Sequence, residues 1–520
     1  MEIVDNKALV LRTRHPDRYA MIPKSRVLKP VGGGMYEVAV HWGLDEARVL
    51  KNLGVRDVPS PIMRSYAWPG RYTPFAHQIE TSAFLTLNKR AFVFSEPGVG
   101  KTLAALWAAD YLMQIGIVRR CLVLCPLSIM HSAWMGDLGN SIIHRSAVVC
   151  HHQNSERRRE IIKKNYQFVI SNYDGLPLIA DTIRQDGTFD LIIADEANAY
   201  KNVTTRRWKT LAGLMQPSTH LWMMTGTPAA QSPEDAYGLA KLVAPDKVPK
   251  FFTAWRDKVM YKATMFKWLP KSNAYAQVHA ALQPAIRHTK AECLDLPPVM
   301  TETREVPMTA QQQKYYKLMK DKMIMQAAGE TITAINAAAG VNKLLQISAG
   351  AAYTDNREVV EFDCTPRLNV LVEVLRETPR KVLVFTLFRH SMDVIYTYLQ
   401  KKGITCAQIN GSVPHTKRTE IFRQFQTTDT PQVLIIQPQA AQHGVTLTAA
   451  DTVVLWGPVM SVESYIQCIA RTDRQGQTSD HVTVIHMEGS DIERRMFSRL
   501  AGKVQDHSML LKIYEEELAG

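Results

Sequence analysis

No stretch of the chain approaches about 18 uninterrupted apolar residues, which excludes a spanning helix from the reading, and no membrane partner is expected. The start, Met1-Glu2-Ile3-Val4-Asp5, lacks the basic and apolar runs of a secretory leader, so the expected compartment is the cytoplasm. Cysteine is scarce, with seven among 520 residues, no pair has zinc-ligand spacing with partners nearby, and Cys121 and Cys125 sit inside an apolar strand-like run. That usage fits a reducing environment. The His151-His152 pair has no cysteine or carboxylate at ligand spacing, so no metal is expected there. Acidic residues are also in deficit: 49 Asp+Glu face 62 Lys+Arg, for a net charge of +13. Residues 201–300 alone hold 14 basic and six acidic residues, a net of +8. An excess concentrated in one region points to a polyanionic partner.

What is present is organised around Arg90-Ala91-Phe92-Val93-Phe94-Ser95-Glu96-Pro97-Gly98-Val99-Gly100-Lys101-Thr102. An apolar run of strand length breaks at a Gly/Pro turn, and an Ala/Leu-rich helix starts at once. This is the layout of a phosphate-binding loop, in which glycines let the backbone curl around an oxyanion and N–H groups at the helix start point into it. Glu96, Pro97, Gly98, Val99, Gly100, Lys101 and Thr102 are the expected nucleotide cradle. Lys101 is expected to reach the β/γ-phosphates of ATP, and the Thr102 hydroxyl to reach Mg²⁺. Ser95 stands where the general pattern has its first glycine. Upstream, Tyr72-Thr73-Pro74-Phe75-Ala76-His77-Gln78 opens a helix. The Gln78 amide offers the donor and acceptor that an adenine edge requires, and an aromatic here can stack on the base.

Beyond the loop, the apolar runs Cys121–Cys125, Phe168–Ile170, Leu191–Ala194 and Leu221–Met224 alternate with helical stretches. The pattern predicts an α/β fold with a parallel sheet covered on both faces, and ligands at the carboxyl ends of its strands. Asp195-Glu196 follows the third run and Thr225-Gly226-Thr227-Pro228 the fourth. Asp195 is placed to hold Mg²⁺, and Glu196 to orient the attacking water. A second alternating unit begins near residue 366 with runs at 381–386, 404–407, 432–436, 453–456 and 482–485, and it contains no second phosphate loop. Its segment Gln467–Gln477 carries Arg471 and Arg474, which on a helix would share a face and aim two guanidinium groups at the γ-phosphate. The expected organisation is a small β-rich appendage over 1–70, a first lobe over 71–240, and a mostly helical insertion and linker over 241–365. A second lobe over 366–505 and a C-terminal helix over 506–520 complete it. Between Lys247 and Lys271, seven basic residues interleave with Phe251, Phe252, Trp255, Tyr261, Phe266 and Trp268. That mixture suits a nucleic-acid groove and equally suits a packed core.

Taken together, these segments resemble superfamily 2 helicase-like ATPases, and within them the Swi/Snf branch. The resemblance rests on Ser95–Thr102, Leu122–Ser128 with Trp134, Asp195-Glu196-Ala197-Asn198 with Lys201-Asn202, Met224–Pro228, Gly444–Asp451 and the Arg471/Arg474 segment. Arg287-His288-Thr289-Lys290 and Leu296-Pro297-Pro298 resemble the helical insertion of the branch. The match implies two RecA-like lobes and an ATP-dependent DNA translocase, acting as a monomer on duplex or branched DNA mainly through backbone contacts. Ser128, Ser171, Thr386, Gly411, Ser412 and Thr446 are the DNA contacts it implies. A strand-separating DNA or RNA helicase, and an ATP-switched DNA-binding scaffold without turnover, remain open alternatives. Three departures stand out. Asn198 replaces the usual His, Asp473 replaces a His between the arginines, and Ala440-Ala441-Gln442-His443 replaces a Gly-rich lead into Gly444. The chain resembles the compact phage or bacterial members more than the large eukaryotic remodellers.

Overall fold

The apolar run before the phosphate loop forms the strand Arg90–Val93 in the computed structural model, which describes residues 1–229, 232–264, 267–329, 334–353, 359–440 and 445–504. The chain divides into two compact units whose boundary in sequence is Thr289/Lys290. The first unit holds a seven-stranded sheet in the order Ala285–Ile286, Arg90–Val93, His220–Met224, Phe189–Asp195, Arg120–Cys125, Phe168–Asn172, Ala147–Val149. Every pairing is parallel. Helices cover both faces, so a central strand needs no polar side. Arg120–Cys125 is buried at every position. The four expected runs are therefore strands, as predicted. Sequence reading missed the two edge strands, Ala147–Val149 and Ala285–Ile286, because two or three residues carry no readable period.

Strand order is what assembles the site. Met224 is in register with Val93 on one side and with Asp195 on the other. At roughly 4.8 Å per strand spacing, the loops leaving these three carboxyl ends lie within about 10 Å of one another. After Arg120–Cys125 the chain returns to this edge at Trp134, whose indole bonds Asp195.

The appendage is an antiparallel sheet in the order Glu2–Val4, Ala8–Thr13, Met35–His41, Ser25–Gly32, and with the helix Leu44–Asn52 it has its own core of Leu9, Leu11, Val38, Val40, Trp42 and Leu50. Arg48 anchors it by donating to the Thr86 carbonyl at 2.7 Å. The Pro/Gly-containing stretch after it is packed. Tyr66 donates to Asp110 Oδ2 at 2.6 Å, and the Trp107 indole donates to the Pro69 carbonyl at 3.1 Å.

The second unit holds a six-stranded parallel sheet in the order Val299–Glu305, Val482–Glu488, Ala450–Leu455, Lys381–Phe385, Val433–Ile436, Cys406–Ile409. The stretch assigned to a helical insertion contributes a strand to each sheet, Ala285–Ile286 to the first and Val299–Glu305 to the second. Val299–Glu305 reads as polar because it is an exposed edge carrying Glu302, Arg304 and Glu305. The expected helix over 506–520 lies outside the described residues. Arg471 and Arg474 are not on a helix, contrary to expectation: the helix Val462–Ile469 ends before them. A chain of turns follows, in which Arg474 N–H bonds Thr472 O at 3.0 Å and Gly476 takes φ +97°. A glycine in that conformation cannot sit in a right-handed helix.

Candidate functional site

The phosphate loop has the backbone its glycines promised. Gly98 and Gly100 take φ +98° and +82°, and the helix Lys101–Gln114 begins directly after Gly100. The positive φ at Gly100 favours glycine, and a Cβ there would meet the Gln78 amide end, Nε2, at 2.0 Å. Lys101 Nζ donates to the carbonyls of Ser95 at 2.7 Å and Glu96 at 3.0 Å, so its ammonium is held across the loop mouth. Thr102 is the second residue of the helix, half-buried beside it. Ser95 has a use that a glycine could not serve: its Oγ accepts the His288 N–H at 3.1 Å. Phe94 N–H to Ile286 O (2.8 Å) and Glu96 N–H to His288 O (3.0 Å) complete a ladder that stiffens the loop's entry. Arg287 Nη2 lies 3.5 Å from Glu96 Oε1.

Gln78 is buried in the first turn of the helix Ala76–Leu87. Its Oε1 accepts the Phe75 N–H at 3.0 Å, so the acceptor expected to read adenine is already engaged. The Nε2 end faces Gly100. Phe75, 42% exposed, stacks on His77 with ring planes 9° apart and supplies the aromatic surface expected there. His77 Nε2 bonds Val99 O of the loop at 2.8 Å.

Asp195 ends its strand, buried. Oδ2 accepts the Trp134 indole N–H at 2.9 Å and Oδ1 accepts the Glu196 N–H at 3.0 Å. Burial, then the neighbouring Glu196 charge, push its carboxyl up to about 6 against the opposing pull of Lys101. Glu196 takes φ 49° and ψ 55°, left-handed for a residue with a Cβ. Such a conformation costs about 1–2 kcal/mol and persists where neighbours hold it. Tyr173 does so, donating its hydroxyl to the carbonyls of Asp195 and Glu196. Asn198, in the place of the usual His, donates Nδ2 to Thr227 O at 2.9 Å and Oγ1 at 3.0 Å. The acidic loop is thus bonded to the Thr225–Pro228 loop. A Cβ on Gly226 would meet Pro97 Cδ at 2.8 Å, so that loop in turn lies against the phosphate loop. Tyr173 was not singled out in the sequence. No local signal marks a tyrosine between the strand Phe168–Asn172 and the helix Leu176–Asp186 as a clamp on residues 195 and 196.

The hard oxygen donors at Thr102 and Asp195 suit Mg²⁺, and the curled loop with its ammonium suits phosphate.

In the second unit, Arg471 is buried, with Nε on Gln467 O at 2.8 Å and Nη1 on Val445 O at 3.1 Å. Arg474 Nη1 donates to Thr446 Oγ1 at 3.3 Å, and Leu447 N–H bonds Arg471 O at 2.8 Å. The arginine turn and residues 445–447 are therefore stitched together. Gly444, at the head of that motif, lies outside the described residues, as do Ala441, Gln442 and His443.

Of the DNA contacts implied by resemblance, Gly411, Ser412 and Thr446 are exposed and Ser128 is half-buried. Ser171 and Thr386 are buried, Ser171 within the strand Phe168–Asn172 and Thr386 just past Lys381–Phe385. In the basic-aromatic stretch the two readings separate by residue. Trp255 is fully buried, whereas Phe251 is 65% and Tyr261 48% exposed; Phe266 lies outside the described residues. Lys250 Nζ sits 5.5 Å over the Phe251 ring, and Tyr261 and Lys262 lie on the hairpin Met260–Thr264/Lys267–Pro270. Among the described residues no group of three His, Cys, Asp or Glu could hold a metal, and no helix is long and apolar enough to cross a membrane.

The SNF2-related domain family matches residues 77–349, and the helicase conserved C-terminal domain matches residues 366–476. Chromodomain-helicase-DNA-binding protein 1-like of Danio rerio is 26% identical over 79% of this chain and 41% of its own length. Protein p41 of Acyrthosiphon pisum secondary endosymbiont phage 1 is 26% identical over 81% of this chain and 94% of its own. The chain thus spans less than half the length of the zebrafish relative. A solved Sulfolobus solfataricus SWI2/SNF2 ATPase core in complex with dsDNA aligns at 20% identity, covering 86% of this chain and 96% of that one, with a TM-score of 0.42.

Proposed function

We propose a function from one premise: this chain belongs to the SNF2-related domain family, whose match covers 273 of its 520 residues, 77–349. It is a DNA-dependent ATPase that moves along duplex or branched DNA as a monomer, gripping the phosphate backbone. The observation that carries this is the convergence of Lys101, Asp195-Glu196 and Thr225–Pro228 at the carboxyl ends of three adjacent strands.

When bound, ATP with Mg²⁺ supplies the reactive phosphoryl group and the charge that offsets its oxygens. The chain does the rest. Lys101 and the N–H groups after Gly98 cradle the phosphates, while Thr102 and Asp195 hold the cation. Glu196, fixed in its left-handed conformation, orients the water. Arg471 and Arg474 stabilise charge on the transferring group. Asn198 ties the acidic loop to Thr227, so a change at the nucleotide is felt in the next loop. Phosphate contacts suit a motor because they carry no base identity. The place of action is the cytoplasm, a host's if the chain is phage-encoded.

Between the strand Ala450–Leu455 and the helix Val462–Ile469 the chain has only a short turn, with no hairpin to drive between strands. This supports translocation without strand separation. The test pairs displacement of a triplex-forming oligonucleotide from duplex with unwinding of a long-armed fork. Triplex displacement with little unwinding is the expected result. Efficient unwinding without triplex displacement overturns it in favour of a helicase, and no ATP turnover with DNA would leave an ATP-switched scaffold.

A further inference from the structure

Between Lys247 and Lys271, seven basic residues meet a single acid, Asp257. Lys250, Phe251, Lys258, Tyr261 and Lys262 of this stretch are exposed, and Lys250 Nζ lies 5.5 Å over the Phe251 ring. A positive surface with open aromatic rings is complementary to a polyanion that carries stackable bases. The surface is also braced from behind. The buried Trp255 donates its indole N–H to the Pro233 carbonyl at 3.4 Å, Arg256 pairs with Glu234, and Tyr237 donates its hydroxyl to the Lys250 carbonyl at 2.7 Å. The Tyr237 ring meets Phe252 edge-on, with 5.5 Å between centroids.

Tyr237 belongs to the helix Ala236–Val243, and the next residue of that helix lies against the acidic loop. A Cβ at Gly238 would meet the carbonyl oxygens of Lys201 at 2.2 Å and Tyr200 at 2.6 Å, both backbone atoms. The helix therefore rests backbone to backbone on the end of the turn Ala197–Tyr200, which directly follows Glu196. Lys201 Nζ adds an ion pair to Asp235 at 3.1 Å, and the Trp208 indole donates to the Gly238 carbonyl at 2.8 Å. All of these residues lie within the first unit.

We propose that the surface around Lys250 and Phe251 is a contact for the DNA backbone, and that the helix Ala236–Val243 carries its occupancy to Glu196, with Tyr237 as the positioning residue between them. This rests on the ATPase reading above and adds to it a route from DNA to the water-orienting carboxylate. Coupling of this kind needs a contiguous set of packed groups. Here it runs from the Lys250 carbonyl through the Tyr237 hydroxyl to Gly238, and from Gly238 through the backbone of Tyr200 and Lys201 to the residues next to Glu196. Tyr237 is buried beneath the surface and acts only through the Lys250 backbone.

In the full chain, Tyr237→Phe keeps the ring against Phe252 and removes the hydroxyl. ATP turnover without DNA should stay within about 2-fold of wild type and the duplex concentration for half-maximal stimulation within about 3-fold, while the stimulated plateau falls about 5-fold or more. Lys250→Ala, in contrast, should raise that half-maximal concentration about 3-fold or more at fixed salt. A tyrosine with a merely structural role would lower the basal and stimulated rates together. That joint fall, an unchanged plateau in Tyr237→Phe, or an unchanged half-maximal concentration in Lys250→Ala overturns the proposal. Should Tyr237→Phe fail to fold, Glu234→Gln, which weakens the tie to Arg256, replaces it. If wild type binds duplex DNA without stimulated turnover, the ATPase reading fails and hydrogen exchange decides the coupling alone. Duplex should then slow exchange at residues 197–201 in wild type and not in Tyr237→Phe; equal exchange in the two overturns it, as does a wild type that binds no duplex.

Discussion

Trp134 donates its indole N–H to Asp195 Oδ2 at 2.9 Å from a fully buried ring in the π-helical turn Met130–Met135. The bond favours the ionised carboxylate and so opposes the burial that raises its pKa. Trp134→Phe keeps most of the packing and removes the donor. Stability should fall by about 1–3 kcal/mol, and the acid limb of kcat against pH should move to higher pH. An unmoved acid limb in a folded variant would separate Asp195 from turnover.

The same carboxyl sets a stability trend in the nucleotide-free protein. Its folded pKa, about 6, lies above the unfolded value, so its contribution is fully present below the unfolded pKa and is lost as pH rises through about 6. Asp195→Asn should therefore stabilise the nucleotide-free protein more at pH 8 than at pH 5. Urea melts at the two pH values measure the difference, and an equal gain at both would contradict it.

Lys101 and Glu196 should fail differently. Lys101→Ala removes the ammonium held over Ser95 and Glu96, and nucleotide binding should be lost. Glu196→Gln keeps the cradle and should bind ATP while losing turnover. Titration with a fluorescent nucleotide, alongside phosphate release on saturating DNA, distinguishes them. Near wild-type kcat in Glu196→Gln would remove its assignment to the water.

Arg474→Ala should hold ATP affinity within a few-fold and lower kcat by about 10³ or more, the scale of an arginine finger. A raised KM with unchanged kcat would instead move Arg474 to ground-state binding.

The exposed aromatics beside lysines at Phe251 and Tyr261 suit a DNA backbone with added stacking. Lys250→Ala and Lys262→Ala should each weaken DNA binding and reduce the slope of log K against log salt by about one. DNA titrations at several salt concentrations read that slope. An unchanged slope would leave the hairpin as structure only.

Much of this protein was legible in the chain, and the reason is local. A strand buried on both faces reads as an apolar run whatever its neighbours, so the runs Cys121–Cys125 and Leu191–Ala194 announced the strands Arg120–Cys125 and Phe189–Asp195. A phosphate loop needs left-handed glycines and a helix start within a few residues, so Gly98, Gly100 and Lys101 could be read without a partner. The order α/β followed from the alternation, as did the placing of Asp195 at a strand's end.

Everything that depends on residues far apart in sequence was decided by the tertiary structure. Which strands are neighbours brings Val93, Met224 and Asp195 into one register, and no local pattern states it. Ser95 looked like a blemish in a glycine pattern until His288 was found on its hydroxyl, and Asp473 looked like a lost histidine until Lys290 was found on its carboxylate. Edge strands such as Val299–Glu305 carry polar side chains because only their backbone is used. That Ser171 and Thr386 are buried is likewise a property of the packed chain. Local patterns record what a residue needs from its immediate backbone; long-range pairing depends on loop closure and packing, which the linear pattern does not carry.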